Sequence, residues 1–210
     1  MRLSPTVMLA SVNRGKFEEF KALLSAYAQI ELVPAAQLLR NPGKLQFVEH
    51  YETYRENAVA KARVANQASH YPSLADDSGL EVEFLDGKPG PRSHRYATPQ
   101  AHLTQDEANV AKLLAEMKGA KSRSARFVCH LSLVIEGVLL HAEGTLEGTL
   151  AEAPRGTHGF GYDPIFIPKG ETRTLAEMTD EEKNKISHRA VALRHLMEQV
   201  KAYGIVFDKP

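Results

Sequence analysis

Thr6-Val7-Met8-Leu9-Ala10-Ser11-Val12-Asn13-Arg14-Gly15-Lys16-Phe17-Glu18-Glu19-Phe20 is the stretch whose pattern decides the fold. Residues 6–11 hold a short apolar run, which reads as a buried strand. After the turn Ser11-Val12-Asn13-Arg14-Gly15-Lys16, the residues Phe17, Phe20, Leu23, Leu24 and Tyr27 recur at helical spacing and predict a helix over 14–27. A second strand follows near residues 30–34. The chain therefore opens strand–turn–helix–strand.

Outward from this segment, residues 36–52 read as irregular, with Asn41-Pro42-Gly43 as a turn. Thr53-Tyr54-Arg55-Glu56 has the capping-box pattern and starts an Ala-rich helix to about His70. A short strand at 73–75 leads into Asp76-Asp77-Ser78-Gly79, and residues 80–85 alternate like a strand before Asp86-Gly87-Lys88-Pro89 breaks them. Thr104 and Glu107 cap a helix to about Lys118, with Gly119 as its stop. Residues 125–136 and 138–146 read as two strands joined at Gly137 in a hairpin. Five of the fourteen glycines fall in 144–161, which predicts a loop of unusual backbone angles. Residues 187–203 form a last amphipathic helix with Leu193, Leu196, Met197 and Val200 inward. Early alternation followed by an antiparallel section indicates an α/β protein with a mixed sheet.

The chain has 210 residues, with 26 Lys and Arg against 26 Asp and Glu. A zero balance argues against a binder of polymeric nucleic acid, whose affinity rests on neutralising many phosphates, and against a polybasic membrane-surface protein. With 43% hydrophobic residues the chain is not disordered, and its length suits one domain over 1–210, with two lobes. The single cysteine, Cys129, excludes an internal disulfide and a cysteine zinc site. No apolar run approaches the ~18 residues of a spanning helix, so a soluble cytoplasmic protein is expected.

Four segments can carry chemistry. The turn Ser11 to Lys16 places backbone N–H groups and a lysine at a helix start, as an anion site does, although an ordinary strand–helix turn has the same look. Asp76-Asp77 puts two acids after apolar residues, where they need a cation or serve as caps; a strand would turn only one of them to a given site. Together with Glu49 they are hard oxygen donors of the kind that suits Mg²⁺. Gly156-Thr157-His158-Gly159-Phe160-Gly161-Tyr162-Asp163 frames an aromatic with glycines, either to stack on a base or to close a hairpin core. In Lys183-Asn184-Lys185-Ile186-Ser187-His188-Arg189, cations at a helix start oppose its dipole and require an acceptor or an anion nearby. The nine histidines include no HExxH-like cluster, so no histidine-bound metal is expected.

These segments, in this order, resemble the inosine triphosphate pyrophosphatase family. The likeness runs through Ser11-Val12-Asn13-Arg14-Gly15-Lys16, Glu56-Asn57-Ala58 with Lys61, Ala75-Asp76-Asp77-Ser78-Gly79, Ser93-His94-Arg95-Tyr96, Arg123 to Phe127, Gly159 to Pro164, and Ser187-His188-Arg189. It implies an elongated mixed sheet flanked by helices, two lobes, and a central active-site cleft. It implies hydrolysis of non-standard purine nucleoside triphosphates such as ITP, dITP and XTP to the monophosphate and pyrophosphate, with Mg²⁺, in a homodimer. By position, Asp77 is the proton acceptor, and Glu49 and Asp77 stand around the metal. Ser11, Val12, Asn13, Arg14, Gly15, Lys16 and Lys61 hold phosphates, and Ser78 lines the site. Phe160, Gly161, Tyr162 and Asp163 meet base and sugar, while Lys183, His188 and Arg189 complete the base pocket.

Two positions depart from the family pattern: Ser11-Val12 stands where Thr-Gly is usual, and His50-Tyr51 follows Glu49 where Thr-Gly is usual. They keep two alternatives in view, a nucleotide-binding protein without turnover and a pyrophosphatase for other modified nucleotides. A neutral chain that binds a triphosphate is expected to segregate charge, with Glu49, Asp76 and Asp77 as an acidic pole and Lys16, Lys61, Lys183 and Arg189 as a basic one.

Overall fold

The computed structural model describes residues 2–27 and 29–207. In chain order the elements are β1 (Arg2–Leu3), β2 (Thr6–Leu9), α1 (Arg14–Leu24), β3 (Glu31–Pro34), α2 (Ala35–Leu38), α3 (Tyr54–Ser69), β4 (Ser73–Val82), α4 (Gln105–Glu116), β5 (Ser124–Ile135), β6 (Val138–Leu150), β7 (Phe166–Pro168), α5 (Asp180–Ile186), α6 (His188–Ala202) and β8 (Val206–Phe207). Six strands form one sheet in the order β3-β2-β4-β5-β6-β7, and β1 pairs separately with β8. β2 runs parallel to β3 and β4, whereas β7 is antiparallel to β6. The mixed α/β sheet expected from the sequence is therefore present. Among the described residues, no helix is long and apolar enough to cross a membrane.

The chain divides into two compact units. The first comprises residues up to Asp77, Cys129–Gly144 and the chain from Arg189 on; the second comprises Ser78–Val128 and Thr145–His188. The first unit has a strand core buried on both faces. Val7 and Leu9 of β2 pack with Phe20 and Leu24 of α1 and with Leu193 and Leu196 of α6. Met8 and Ala10 point the other way and pack with Ala62 and Ala65 of α3. A continuous apolar run is what a strand covered on both faces requires. The Ala-rich face of α3 keeps its backbone near the sheet, with Ala58, Ala62 and Ala65 fully buried. In the second unit Leu80, Val82, Leu113, Phe127, Tyr162, Ile165 and Phe166 form a separate core.

Local signals placed the helix starts well. Asn13 caps α1 by accepting from the Lys16 N–H at 2.9 Å, and Thr53 and Thr104 cap α3 and α4. The hairpin turn is Glu136-Gly137, with φ of 44° and 83°, the backbone of a type I′ turn.

Elsewhere the sequence reading needs correction. α1 stops at Leu24 with Ser25 as its cap, short of Tyr27. Residues 36–52 are not wholly irregular, because α2 covers Ala35–Leu38 and a 3-10 run covers Pro42–Val48. Asp76-Asp77-Ser78-Gly79 is not a break between two strands but the middle of β4, which runs unbroken to Val82, and Glu83–Leu85 turns as a 3-10 helix. Acids and glycine are poor strand formers, and pairing across the sheet overrides that preference. The last helical segment is divided at Ser187, whose extended backbone ends α5 before α6 begins.

The glycine-rich stretch 144–161 is also not all loop, since Gly144 and Gly148 lie within β6. At Gly148 a Cβ would strike the Phe166 ring and the Ile167 carbonyl. The glycine is there to admit a neighbouring aromatic, not to bend the chain. Gly148→Val should therefore destabilise the protein by about 1–3 kcal/mol through overpacking. Urea unfolding would show it as a lower midpoint with an unchanged slope; a midpoint equal to that of the parent would refute the packing account.

Candidate active site

The pleat of β4 sorts the two adjacent acids. Leu74 belongs to the cluster on the α1 and α6 face, and Ala75 to the cluster on the α3 face. With side chains alternating, Asp76 follows Leu74 and Asp77 follows Ala75. The contacts agree. Asp76 is fully buried, paired with Lys16 of α1, and reached by Arg189 Nε of α6 at 3.3 Å. The Cys129 thiol donates to Asp76 Oδ2 at 3.2 Å. Arg189 also donates to Glu19 Oε2 at 3.1 Å. This is the anionic compensation that a cation in the first turn of α6 requires.

Asp77 faces α3. Asn57 Nδ2 donates to its Oδ2 at 3.0 Å, and Lys61 Nζ lies 3.6 Å from its Oδ1. Lys61 is itself buried, ion-paired with Glu49, and donates to the Asp76 backbone carbonyl. Asn57 and Lys61 are four apart on α3, one turn on the same face. Asn57 also clamps the segment after Glu49, accepting from the Tyr51 N–H at 3.0 Å and donating to the Tyr51 carbonyl at 3.2 Å. The hold on that segment is through backbone, so the unusual His50-Tyr51 leaves Glu49 in place beside Lys61.

The two acids differ in charge state. Burial pushes the Asp76 carboxyl up, but Lys16, Arg189 and Lys61 overwhelm it and hold the group far below the ordinary carboxylate range. Burial likewise pushes Asp77 up; Lys61 and Lys16 pull it down, Glu49 adds to the rise, and the pKa settles at about 6. Burial opposes the charge of Lys61, yet Asp77, Glu49 and Asp76 together raise its pKa. Burial and the neighbouring Asp76 keep Cys129 a thiol.

The expected segregation into an acidic and a basic pole is therefore not what the first unit contains. Lys16 and Arg189 interleave with Asp76 and Glu19, and Lys61 with Glu49 and Asp77. Buried charges of one sign repel strongly, so each is placed beside its opposite. Asp76, enclosed by cations, is a structural acid that ties α1 and α6 to β4. Glu49 and Asp77 converge on one ammonium and remain the hard-oxygen pair. Among the described residues no three His, Cys, Asp or Glu side chains converge as a metal cage.

In the turn before α1, Ser11 is half-buried, Val12 is 43% exposed, Asn13 is the cap, and Arg14 is exposed. Gly15 follows, half-buried, in the first turn. Val12 is absent from the positive-φ residues, so its substitution for glycine needs no special backbone.

In the second unit Asp163 organises the aromatic loop. Its Oδ2 accepts from the Phe160 N–H at 2.9 Å and from Lys183 Nζ at 2.7 Å. A Cβ at Gly159 would run into that same oxygen. The Gly161 N–H donates to Asp106 Oδ2 at 2.8 Å. Lys183 Nζ stands 4.9 Å over the half-buried Phe160 ring. Tyr162 is turned inward, 4% exposed, with its hydroxyl donating to the Ser93 carbonyl at 2.8 Å. Its ring is part of the core of the second unit. His188 stacks on Phe127 at 4.7 Å between centroids and 8° between planes. Ser78 lies half-buried in β4.

Sequence reasoning assigned no role to Asn57, Glu19, Cys129, Asp106 or Ser93. Asn57 and Glu19 had a usable signal, lying one helical turn from Lys61 and Lys16. Nothing local marked the others.

Asp77 has a consequence for stability. Its pKa is raised from 3.8 to about 6 in the fold, so the folded state binds the proton more tightly than the unfolded chain. Its favourable contribution is complete below the unfolded value and is lost as pH rises through the folded one, a difference of about 3 kcal/mol. Asp77→Asn cannot ionise. Without divalent cations it should be more stable than the parent at pH 8, by up to that amount, and the gain should vanish toward pH 4. Chemical denaturation across pH checks this; a variant less stable at pH 8 contradicts it.

Residues 7–199 match the sequence profile of the Ham1 family. A protein of Bacillus subtilis named dITP/XTP pyrophosphatase is 42% identical over 209 residues, spanning 96% of this chain and 100% of its own. A protein of the same name from Bordetella parapertussis is 44% identical, spanning 97% of this chain and 94% of its own. Among solved structures, a HAM1 protein from Coxiella burnetii aligns with a TM-score of 0.78 and 36% identity, covering 94% of this chain and 98% of that one. The Ham1 protein of Staphylococcus aureus aligns with a TM-score of 0.76 and 33% identity, covering 94% and 99%.

Proposed function

The chain belongs to the Ham1 family, and from that membership and the residues above we propose that it is a nucleoside triphosphate pyrophosphatase. Its substrates are non-standard purine nucleoside triphosphates, ITP, dITP and XTP, which it cleaves to the monophosphate and pyrophosphate. The names of its relatives support the substrate class. The observation that carries the residue-level reading is Asp77, a buried carboxylate held by Asn57 and Lys61 next to Glu49, with a pKa of about 6.

Mg²⁺ fits this group. Magnesium takes one or two carboxylates and leaves its other positions to water and substrate phosphates, and Glu49 and Asp77 are such a pair. A bound Mg²⁺ would neutralise phosphate charge and make water a stronger acid. The chain's own residues do the rest. Asp77 accepts a proton from the water whose oxygen bonds to the α-phosphorus, as the Pα–O–Pβ bond breaks and pyrophosphate leaves with the electron pair. A base with a pKa near 6 is ionised at neutral pH and still takes up a proton readily. Lys16 and Lys61 stabilise phosphate oxygens. Phe160 offers a ring face to the base, and Lys183 a donor to the 6-oxo group of hypoxanthine or xanthine. Adenine presents an amino donor there and cannot accept that hydrogen bond. The lone buried thiol suits a reducing cytoplasm, and the reading includes the homodimer that the family resemblance implies.

A pyrophosphate-release assay across ITP, XTP, dITP, GTP and ATP tests this reading. Efficiency on ITP should exceed that on ATP by at least about 100-fold, since a site built to pair a polar group rejects the analogue lacking it. Asp77→Asn should release pyrophosphate about 10²–10⁴ times more slowly while remaining folded. Equal efficiency on ITP and ATP, or near-parental turnover by the variant, would refute the respective assignment.

A further inference from the structure

The loop that presents Phe160 is hooked to α4 by an acid that the chemistry above does not use. Gly159 and Gly161, on either side of the ring, have φ of 75° and 62°, a backbone that other residues adopt only with strain. Glycines bring no side chain to pack, so hydrogen bonds must hold this segment in one conformation. Asp163 supplies two of them from within the loop. Its Oδ2 accepts from the Phe160 N–H at 2.9 Å, and its own N–H donates to the Phe160 carbonyl at 3.2 Å. The next N–H, that of Gly161, is taken from outside the loop, by Asp106 Oδ2 at 2.8 Å. An ionised acceptor makes this bond stronger than one to a neutral oxygen.

α4 is a firm support for the hook. Asp106 stands in its first turn, where the helix dipole favours a carboxylate. Thr104 and Glu107 close a capping box on either side of it. Gln105 Nε2 donates to the Ala97 carbonyl at 2.8 Å, and the buried Asn109 Oδ1 accepts from the Ala97 N–H at 2.8 Å. The start of α4 is thus tied to the segment that also holds Tyr162, whose hydroxyl donates to the Ser93 carbonyl at 2.8 Å. Leu113 of α4 and the Tyr162 ring share one core. Gly161 is therefore fixed against elements that are themselves fixed.

We propose that Asp106 is a positioning residue for base recognition: by holding the Gly161 N–H it sets the Phe160 ring face for the purine. It acts on the substrate through Phe160, and the proposal rests on the reading of that ring as the base platform. Stacking on the base is the same before and during phosphoanhydride cleavage, so losing its alignment weakens binding and leaves the chemical step alone. The signature is a rise in KM without a fall in kcat. The contact was hidden in the sequence because Asp106 and Gly161 lie 55 positions apart.

The test compares Asp106→Ala, Asp106→Asn, Phe160→Leu and the double variant Asp106→Ala/Phe160→Leu in steady-state ITP hydrolysis. Exchange of the Gly161 amide hydrogen, followed by NMR in the substrate-free protein, reads the hook itself. Asp106→Ala should raise KM about tenfold, the scale of one base–aromatic stack, with kcat unchanged, and should speed Gly161 exchange. Asp106→Asn keeps an oxygen at the same place and should recover most of both. Asp106 is exposed, so neither substitution opens a cavity. Phe160→Leu should raise KM comparably, and adding Asp106→Ala to it should change little further, since both act through one ring. A parental KM in Phe160→Leu would remove the base platform and the proposal with it. A raised KM in Phe160→Leu with a parental KM in Asp106→Ala, or fully additive effects in the double variant, would leave the platform standing and overturn the role of Asp106. Unchanged Gly161 exchange in Asp106→Ala would overturn it as well, whatever the kinetics.

Discussion

Two adjacent carboxylates buried in the middle of a strand are the constraint on which the first unit depends. A strand sends neighbouring side chains to opposite faces, so neither Asp76 nor Asp77 can borrow the other's solution. Each face of β4 must bring its own cations or donors. The α1 and α6 face brings Lys16, Arg189 and the Cys129 thiol. The α3 face brings Asn57 and Lys61, and through Lys61 it draws in Glu49. Three helices are thereby tied to one strand by charge as well as by the apolar clusters on either side of it.

The two solutions are unequal, and the inequality separates structure from chemistry. Asp76 has two cations against its side chain and is held ionised, a fixed anion that aligns α1 and α6. Asp77 shares the buried Lys61 ammonium with Glu49 and is left with proton affinity to spare. A buried carboxylate short of compensating charge is costly to the fold and suited to binding a cation or a proton. The second unit uses one acid in the first manner: Asp163 is consumed by Lys183 and the Phe160 N–H, and so holds an aromatic ring in a set position without reacting.

Much of this was legible along the chain. Helix starts at Asn13, Thr53 and Thr104 are local hydrogen-bond patterns, and the I′ turn at Glu136-Gly137 is set by two residues, so sequence placed them directly. The alternation rule also predicted that Asp76 and Asp77 would part company. What it could not supply were facts set by packing between distant segments. Gly148 looks like a loop residue until Phe166 is laid against it. Asp76 to Gly79 looks like a break until the flanking strands pair with it. Tyr162 sits beside a glycine-rich loop, but its hydroxyl finds Ser93 across 69 positions and its ring packs in the core. Charge segregation was a fair inference from composition, yet buried ions need adjacent partners, and that pairing is invisible in a net count of zero.

The central claim is that one carboxylate of the pair titrates in the physiological range and the other does not. Carbon-detected NMR of aspartate side chains in the metal-free protein measures it directly. The account predicts one resonance titrating near pH 6, absent in Asp77→Asn, and an Asp76 resonance that stays ionised down to acid unfolding. Titration of Asp77 near 3.8, with no resonance moving around pH 6, would contradict it.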